Sequence, residues 1–61
     1  MTYTVIAVRE GRWWSIYVPE IDRHTQARRK SEIEPMARDL ISVMTGLPAG
    51  TIPIGKTRLS E

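Results

Sequence analysis

Two consecutive segments rich in β-branched and aromatic residues, joined by a glycine, place the strongest limit on how this chain folds. The first segment covers residues 2–10 and the second covers residues 13–18, with Gly11 between them. Such residues favour strands, and a glycine supplies the positive φ that a tight hairpin turn requires. The sequence therefore predicts a β-hairpin. Alternation of side chains places Trp14 on the drier face, which we expect to meet the core, and Trp13 on the opposite face.

The remainder of the chain predicts a third strand and one helix. Residues 24–28 alternate weakly and predict an edge-like strand. Residues 32–45 predict an α-helix, because apolar residues recur at helical spacing, namely Ile33, Met36, Ala37, Leu40, Ile41 and Met44. Ser31 and Glu34 match a capping box at its start, and Gly46 suits its C-cap. Residues 51–58 are interpreted either as a tail or as a fourth, edge strand.

These elements define an α+β fold, a three-stranded antiparallel β-meander with one packed helix, as a single domain over residues 1–61. The chain has 61 residues and no cysteine, so disulfides and thiolate metal sites are excluded. A small core without such cross-links often gains stability by association, and we therefore expect a homodimer. No apolar run approaches the ~18 residues that a membrane helix needs, and we expect a cytoplasmic protein.

Candidate chemistry in the sequence favours binding over catalysis. His24 is the only histidine, and no metal-ligand or nucleophile motif surrounds it, so we expect no catalytic, metal or cofactor site. The run Arg28-Arg29-Lys30 just before the helix is interpreted as a solvated loop, as a contact for an acidic protein surface, or as a contact for nucleic acid. Trp13 and Tyr17 share one strand face, and exposed aromatic residues are enriched at interface hot spots.

The order of these motifs resembles the HicB-like antitoxin family in its short form, without a DNA-binding module. The resemblance lies in Glu10-Gly11-Arg12 followed by two tryptophans, in a strand that ends at Val18-Pro19-Glu20, and above all in Thr25-Gln26-Ala27-Arg28-Arg29 before the helix. It implies a partial ribonuclease-H-like fold that is not catalytic. It also implies a partner, a small HicA-type RNA-cleaving toxin, whose active surface the domain covers.

Two other functions stay open at this point. One is a small dimeric nucleic-acid-binding protein that uses Arg28, Arg29 and Lys30, although a net charge of +2 is low for that class. The other is an interaction protein of phage or host origin that reuses the fold. The mechanism that we expect is steric: the protein associates through its sheet edge or its exposed aromatic face and covers the working surface of its partner, with Trp13, Tyr17 and Arg28 predicted to make most of the contact.

Overall fold

The computed structural model describes residues 2–61, which form one four-stranded sheet and one α-helix. The strands are β1 (Tyr3–Glu10), β2 (Trp13–Val18), β3 (Arg23–Ala27) and β4 (Ile54–Ser60), and the helix α1 (Ile33–Thr45) lies between β3 and β4 in the chain. Single 3₁₀ turns occur at Lys30–Glu32 and at Ala49–Thr51. The α+β class and the β-β-β-α layout predicted from the sequence are therefore confirmed.

The strand order in the sheet is β3-β2-β1-β4. Neighbouring strands are antiparallel from β3 to β1, and the meander is as predicted, whereas β4 runs parallel to β1. A fourth strand is therefore present, and it is an edge strand, but it begins at Ile54 and continues to Ser60. Pro53 lies just before it, and its carbonyl oxygen accepts a hydrogen bond from the Tyr3 N–H at 2.9 Å.

The core lies between one face of the sheet and the helix. Its members are buried apolar side chains from all parts of the fold, namely Tyr3, Val5, Ala7, Trp14, Ile16, Val18, Ala27, Ile33, Ala37, Ile41 and Ile52. The alternation in β2 that sends Trp14, Ile16 and Val18 inward is as predicted. On the helix, Met36 and Leu40 pack at the margin of the core. Met44, which also belongs to the predicted apolar stripe, is 43% exposed.

The start of the helix differs from the prediction. Ser31 lies within the 3₁₀ turn, the N-cap of α1 is Glu32, and neither the turn nor the helix has a side-chain cap hydrogen bond. The capping-box prediction is therefore wrong. Pro35 gives the physical reason, because a start at Ile33 places the proline in the first turn, where a backbone N–H has no intrahelical partner to lose. The C-cap prediction is confirmed, since Gly46 adopts φ 77° and its N–H bonds to the Ser42 carbonyl.

A candidate protein-binding face

Helix α1 covers only one face of the sheet, and the other face is open to solvent. The register of the strands shows which side chains share this open face: Thr4, Ile6, Val8 and Glu10 from β1; Trp13, Ser15 and Tyr17 from β2; His24 and Gln26 from β3; and Lys56, Arg58 and Ser60 from β4. Val8 is 41% exposed and Trp13 is 46% exposed. A second layer of apolar and aromatic side chains is thus left without a covering element among residues 2–61.

Tyr17 is held in one orientation on the open face. Its hydroxyl donates a hydrogen bond to Asp22 Oδ1 at 2.9 Å, and its ring stacks on that of its cross-strand partner His24, with centroids 4.5 Å apart and planes inclined by 31°. Asp22 reaches it from the turn after β2, where it adopts φ 50°, a conformation that aspartate tolerates better than most residues. The hydrogen bond to Asp22 is the main cause that raises the pKa of Tyr17 above its ordinary value.

Trp13 lies at the opposite end of β2 and meets the start of the basic run. Trp13 and Arg28 together line two shallow grooves at this corner of the sheet. One groove is completed by Gln26, Ala27, Glu32 and Met36, and the other by Glu10, Gly11 and Arg12. Four residues of strand place Trp13 and Tyr17 about 13 Å apart. The fold therefore brings Trp13 to Arg28, while Tyr17 forms a separate aromatic position on the same face.

Arg28, Arg29 and Lys30 are all exposed in the connection from β3 to α1. Within residues 2–61 the ion pairs are Arg9 with Glu61 and Arg38 with Glu34, and no member of the basic run takes part in one. The exposure of the three cations is compatible with each of the three interpretations, a solvated loop, a contact for an acidic protein surface and a contact for nucleic acid.

The sequence analysis did not identify a second basic group, the pair Lys56 and Arg58. Lys56 and Arg58 alternate along β4 on the open face, opposite Thr4 and Ile6 of β1. The alternation Lys-Thr-Arg was visible in the sequence, but two prolines and two glycines nearby obscured the strand. An edge strand over residues 51–58 was one of two alternatives, and its pairing with β1 was not predicted, so nothing indicated that the two cations share a face with Trp13 and Tyr17.

The described part of the chain has neither a metal-binding cluster nor a helix that could span a membrane. Within residues 2–61, no group of three or more histidine or acidic side chains is arranged to hold a metal ion. The ring of His24 packs against the ring of Tyr17. No helix in this part of the chain has the length and apolar character needed to cross a membrane.

Comparison with known proteins returned no match to a family model, to a curated protein or to a solved structure. The HicB-like resemblance therefore stays a prediction carried by the residues themselves.

Proposed function

We propose that this chain is a non-catalytic, cytoplasmic protein-binding module of the HicB-like antitoxin type. Its open face covers the RNA-cleaving surface of a small HicA-type toxin. The observation that carries the proposal is the exposure of Trp13 and Val8 on a sheet face that no other element of residues 2–61 covers. Exposed apolar surface rimmed by polar residues is typical of protein–protein interaction sites.

The arrangement of the face suits a protein partner. Tryptophan, tyrosine and arginine are the residue types most enriched among binding hot spots, and here Trp13 and Arg28 share one corner while Tyr17 holds the other end of β2. Because Asp22 and His24 already fix the Tyr17 ring, less side-chain entropy is lost when a partner packs against it. Acids and bases at the margin, Glu10 and Arg12 among them, give the polar rim that such interfaces have.

The fold also supports the family interpretation. A three-stranded antiparallel meander, one helix and a further strand is the layout that the HicB-like resemblance implies, and it is the layout of this chain. The mechanism is steric, because a folded module seated on a nuclease surface excludes RNA without any chemistry of its own.

The test combines capture with an activity assay. The tagged chain is used to capture proteins from its native host, and a small basic protein is expected by mass spectrometry. That protein, once purified, is expected to cleave a fluorogenic RNA, and an equimolar amount of this chain is expected to stop the cleavage. A captured protein without ribonuclease activity, or a ribonuclease that this chain does not inhibit, would contradict the antitoxin role.

Substitutions locate the interface. Alanine at Trp13, Tyr17 and Arg28 together is expected to abolish inhibition, with Trp13→Ala alone costing about 2 kcal/mol of binding free energy, as is usual for a hot spot. Val43→Ala is the matched control, because Val43 is 75% exposed on the helix, which packs on the other side of the sheet. Full inhibition by the triple variant would exclude the open face as the binding surface.

One observation favours a second function, the binding of nucleic acid. Arg28, Arg29 and Lys30 are consecutive, exposed and outside every ion pair of residues 2–61. A nucleic-acid role predicts that affinity falls steeply with salt, since each phosphate contact releases counterions. It also predicts that the Arg28→Ala/Arg29→Ala variant loses this binding. Salt-insensitive or undetectable binding to DNA and RNA would remove this alternative.

A further inference from the structure

The outer edge of β4 is a free sheet edge. The strand order places β4 outside β1, and within residues 2–61 no other strand pairs with it. It is seven residues long, and every residue from Gly55 to Ser60 is exposed. The helix packs mainly on β3 and β2, away from this edge. A free edge presents backbone N–H and C=O groups that pair readily with another extended chain.

The charges along this edge are of one sign. Lys56 and Arg58 point to the same face, and neither forms an ion pair within the described chain. Two acids near this edge have other partners: Glu20 accepts hydrogen bonds from the backbone N–H and the hydroxyl of Thr4, the cross-strand neighbour of Lys56, and Glu61, which follows β4, pairs with Arg9. Arg58 lies one pair further along the strand, beside Ile6. Two cations at alternate positions therefore flank the unpaired backbone.

These charges oppose pairing of the edge with a second copy of the chain. A two-fold axis that pairs β4 with itself antiparallel brings residues of the same face opposite each other. Centred on Thr57, it places Lys56 opposite Arg58 of the second copy, and centred on Arg58 it places two arginines opposite each other. Like charges in directly opposed positions are destabilising. The same two positions favour a strand that carries carboxylates.

We propose that the β4 edge is a docking site for an extended acidic segment of a partner protein. The segment adds to the sheet as a fifth strand, and its backbone pairs with β4. Two of its carboxylates, at alternate positions, face Lys56 and Arg58. Opposite charges in such cross-strand positions stabilise the pairing, and the alternate spacing gives it a fixed register. This proposal goes beyond the antitoxin role, because it rests on a different surface and holds for any partner with such a segment.

A synthetic peptide tests the backbone part of the proposal. The probe is a fluorescein-labelled, amidated peptide of the length of β4 in which glutamate alternates with valine. Saturable binding in fluorescence anisotropy is expected, with slowed hydrogen exchange of β4 amides in NMR spectra. Two derivatives, N-methylated at alternate residues along one edge or the other, form a matched pair. One is expected to lose binding and the other to keep it, because only one edge of the peptide faces β4. Equal binding of both derivatives, or protection located on β3, would overturn the proposal.

Charge reversal tests the electrostatic part. Lys56→Glu/Arg58→Glu is expected to weaken the peptide at least about tenfold, as two cross-strand pairs of ordinary strength imply, and to bind a lysine-for-glutamate peptide instead. The control, Arg12→Glu/Arg23→Glu, makes the same change in net charge at the hairpin turn and on β3, and is expected to keep most of the affinity. Equal losses in the two double variants would overturn the proposal. So would tighter binding of an oligothymidylate of equal charge to the wild-type chain, which would assign the basic pair to nucleic acid.

Discussion

The Tyr17 hydroxyl and the Asp22 carboxylate are joined by a 2.9 Å hydrogen bond that spans the turn between β2 and β3. Loss of the hydroxyl proton breaks this bond and places two negative charges side by side. The pKa of Tyr17 is therefore raised above its ordinary value of 10.0. The stabilisation that comes with this shift is complete below pH 10 and is lost as the pH rises through the raised pKa.

The Tyr17 titration is checked with NMR of chain labelled at its tyrosine rings. Asp22→Asn is expected to lower the pKa of Tyr17 only part of the way toward its ordinary value, because the amide still accepts the hydrogen bond that is the main cause of the shift and removes only the charge. Asparagine also tolerates the positive φ at this position. A Tyr17 pKa that is the same in the wild-type chain and the variant would show that the carboxylate charge has no part in the shift.

Glu20 links stability to pH in the acid range, as Tyr17 does in the alkaline range. The Thr4 backbone N–H, with help from the Thr4 hydroxyl, lowers the pKa of the Glu20 carboxyl below its ordinary value of 4.5. Its contribution to stability is present above pH 4.5 and is lost as the pH falls through the lowered pKa. Glu20→Gln is expected to flatten this part of the curve of urea midpoint against pH. Asp39→Asn is the control that should retain it, because Asp39 is exposed on the helix and forms no ion pair within residues 2–61.

The sequence predicted those parts of the fold that depend on local alternation and spacing. The hairpin around Gly11, the inward face of Trp14, Ile16 and Val18, and the C-cap at Gly46 all follow from patterns within a few residues, and the structure confirms them.

Three features could not be predicted, one because two local signals compete and two because they depend on distant residues. Ser31 and Glu34 carry a capping pattern, but the position of Pro35 shifts the helix start beyond it. The parallel pairing of β4 with β1 joins residues some fifty positions apart, and no local signal records it. The placement of Trp13 beside Arg28 depends on the register of β3 against β2, which the predicted meander did not specify.

The two adjacent tryptophans are expected to differ sharply in solution. Trp14 is 5% exposed within the core, whereas Trp13 is 46% exposed on the open face. Trp14→Phe leaves Trp13 as the only tryptophan, and its fluorescence is expected to be red-shifted and strongly quenched by acrylamide. Trp13→Phe leaves Trp14, whose fluorescence is expected to be blue-shifted and weakly quenched. Equal quenching in the two variants would contradict the assignment of the faces.

The predicted homodimer has a location that can be tested. The basic pair on β4 opposes self-pairing there, so the open face, when no toxin occupies it, is the surface on which a second copy would bury apolar area. Light scattering at high micromolar concentration is expected to give the mass of a dimer, and Trp13→Glu is expected to give that of a monomer. A monomeric wild-type chain at that concentration would rule the dimer out.

Position 55 requires a residue without a side chain, because Thr2 packs directly against Gly55. The register of β1 and β4 slips at this point, since Tyr3 pairs with Ile54 but Thr4 pairs with Lys56, and Gly55 is the extra residue. A Cβ at Gly55 would lie 2.6 Å from Thr2 Oγ1 and 2.9 Å from Thr2 Cβ. Gly55→Ala is therefore expected to cost about 1–3 kcal/mol in the free energy of unfolding, the range for overpacking.

The Gly55 prediction has a control and a rescue within the same chain. A Cβ at Gly50 meets nothing within 4 Å, so Gly50→Ala is expected to change stability by no more than about 0.5 kcal/mol, as for surface positions. Thr2→Gly removes all three atoms that the new Cβ would meet, and it is expected to restore part of the loss in Gly55→Ala. Urea unfolding of Thr2→Gly, of Gly55→Ala and of the double variant measures the coupling free energy between positions 2 and 55. Strictly additive effects would mean that the loss at Gly55 arises from the backbone of the bulge and not from the contact with Thr2.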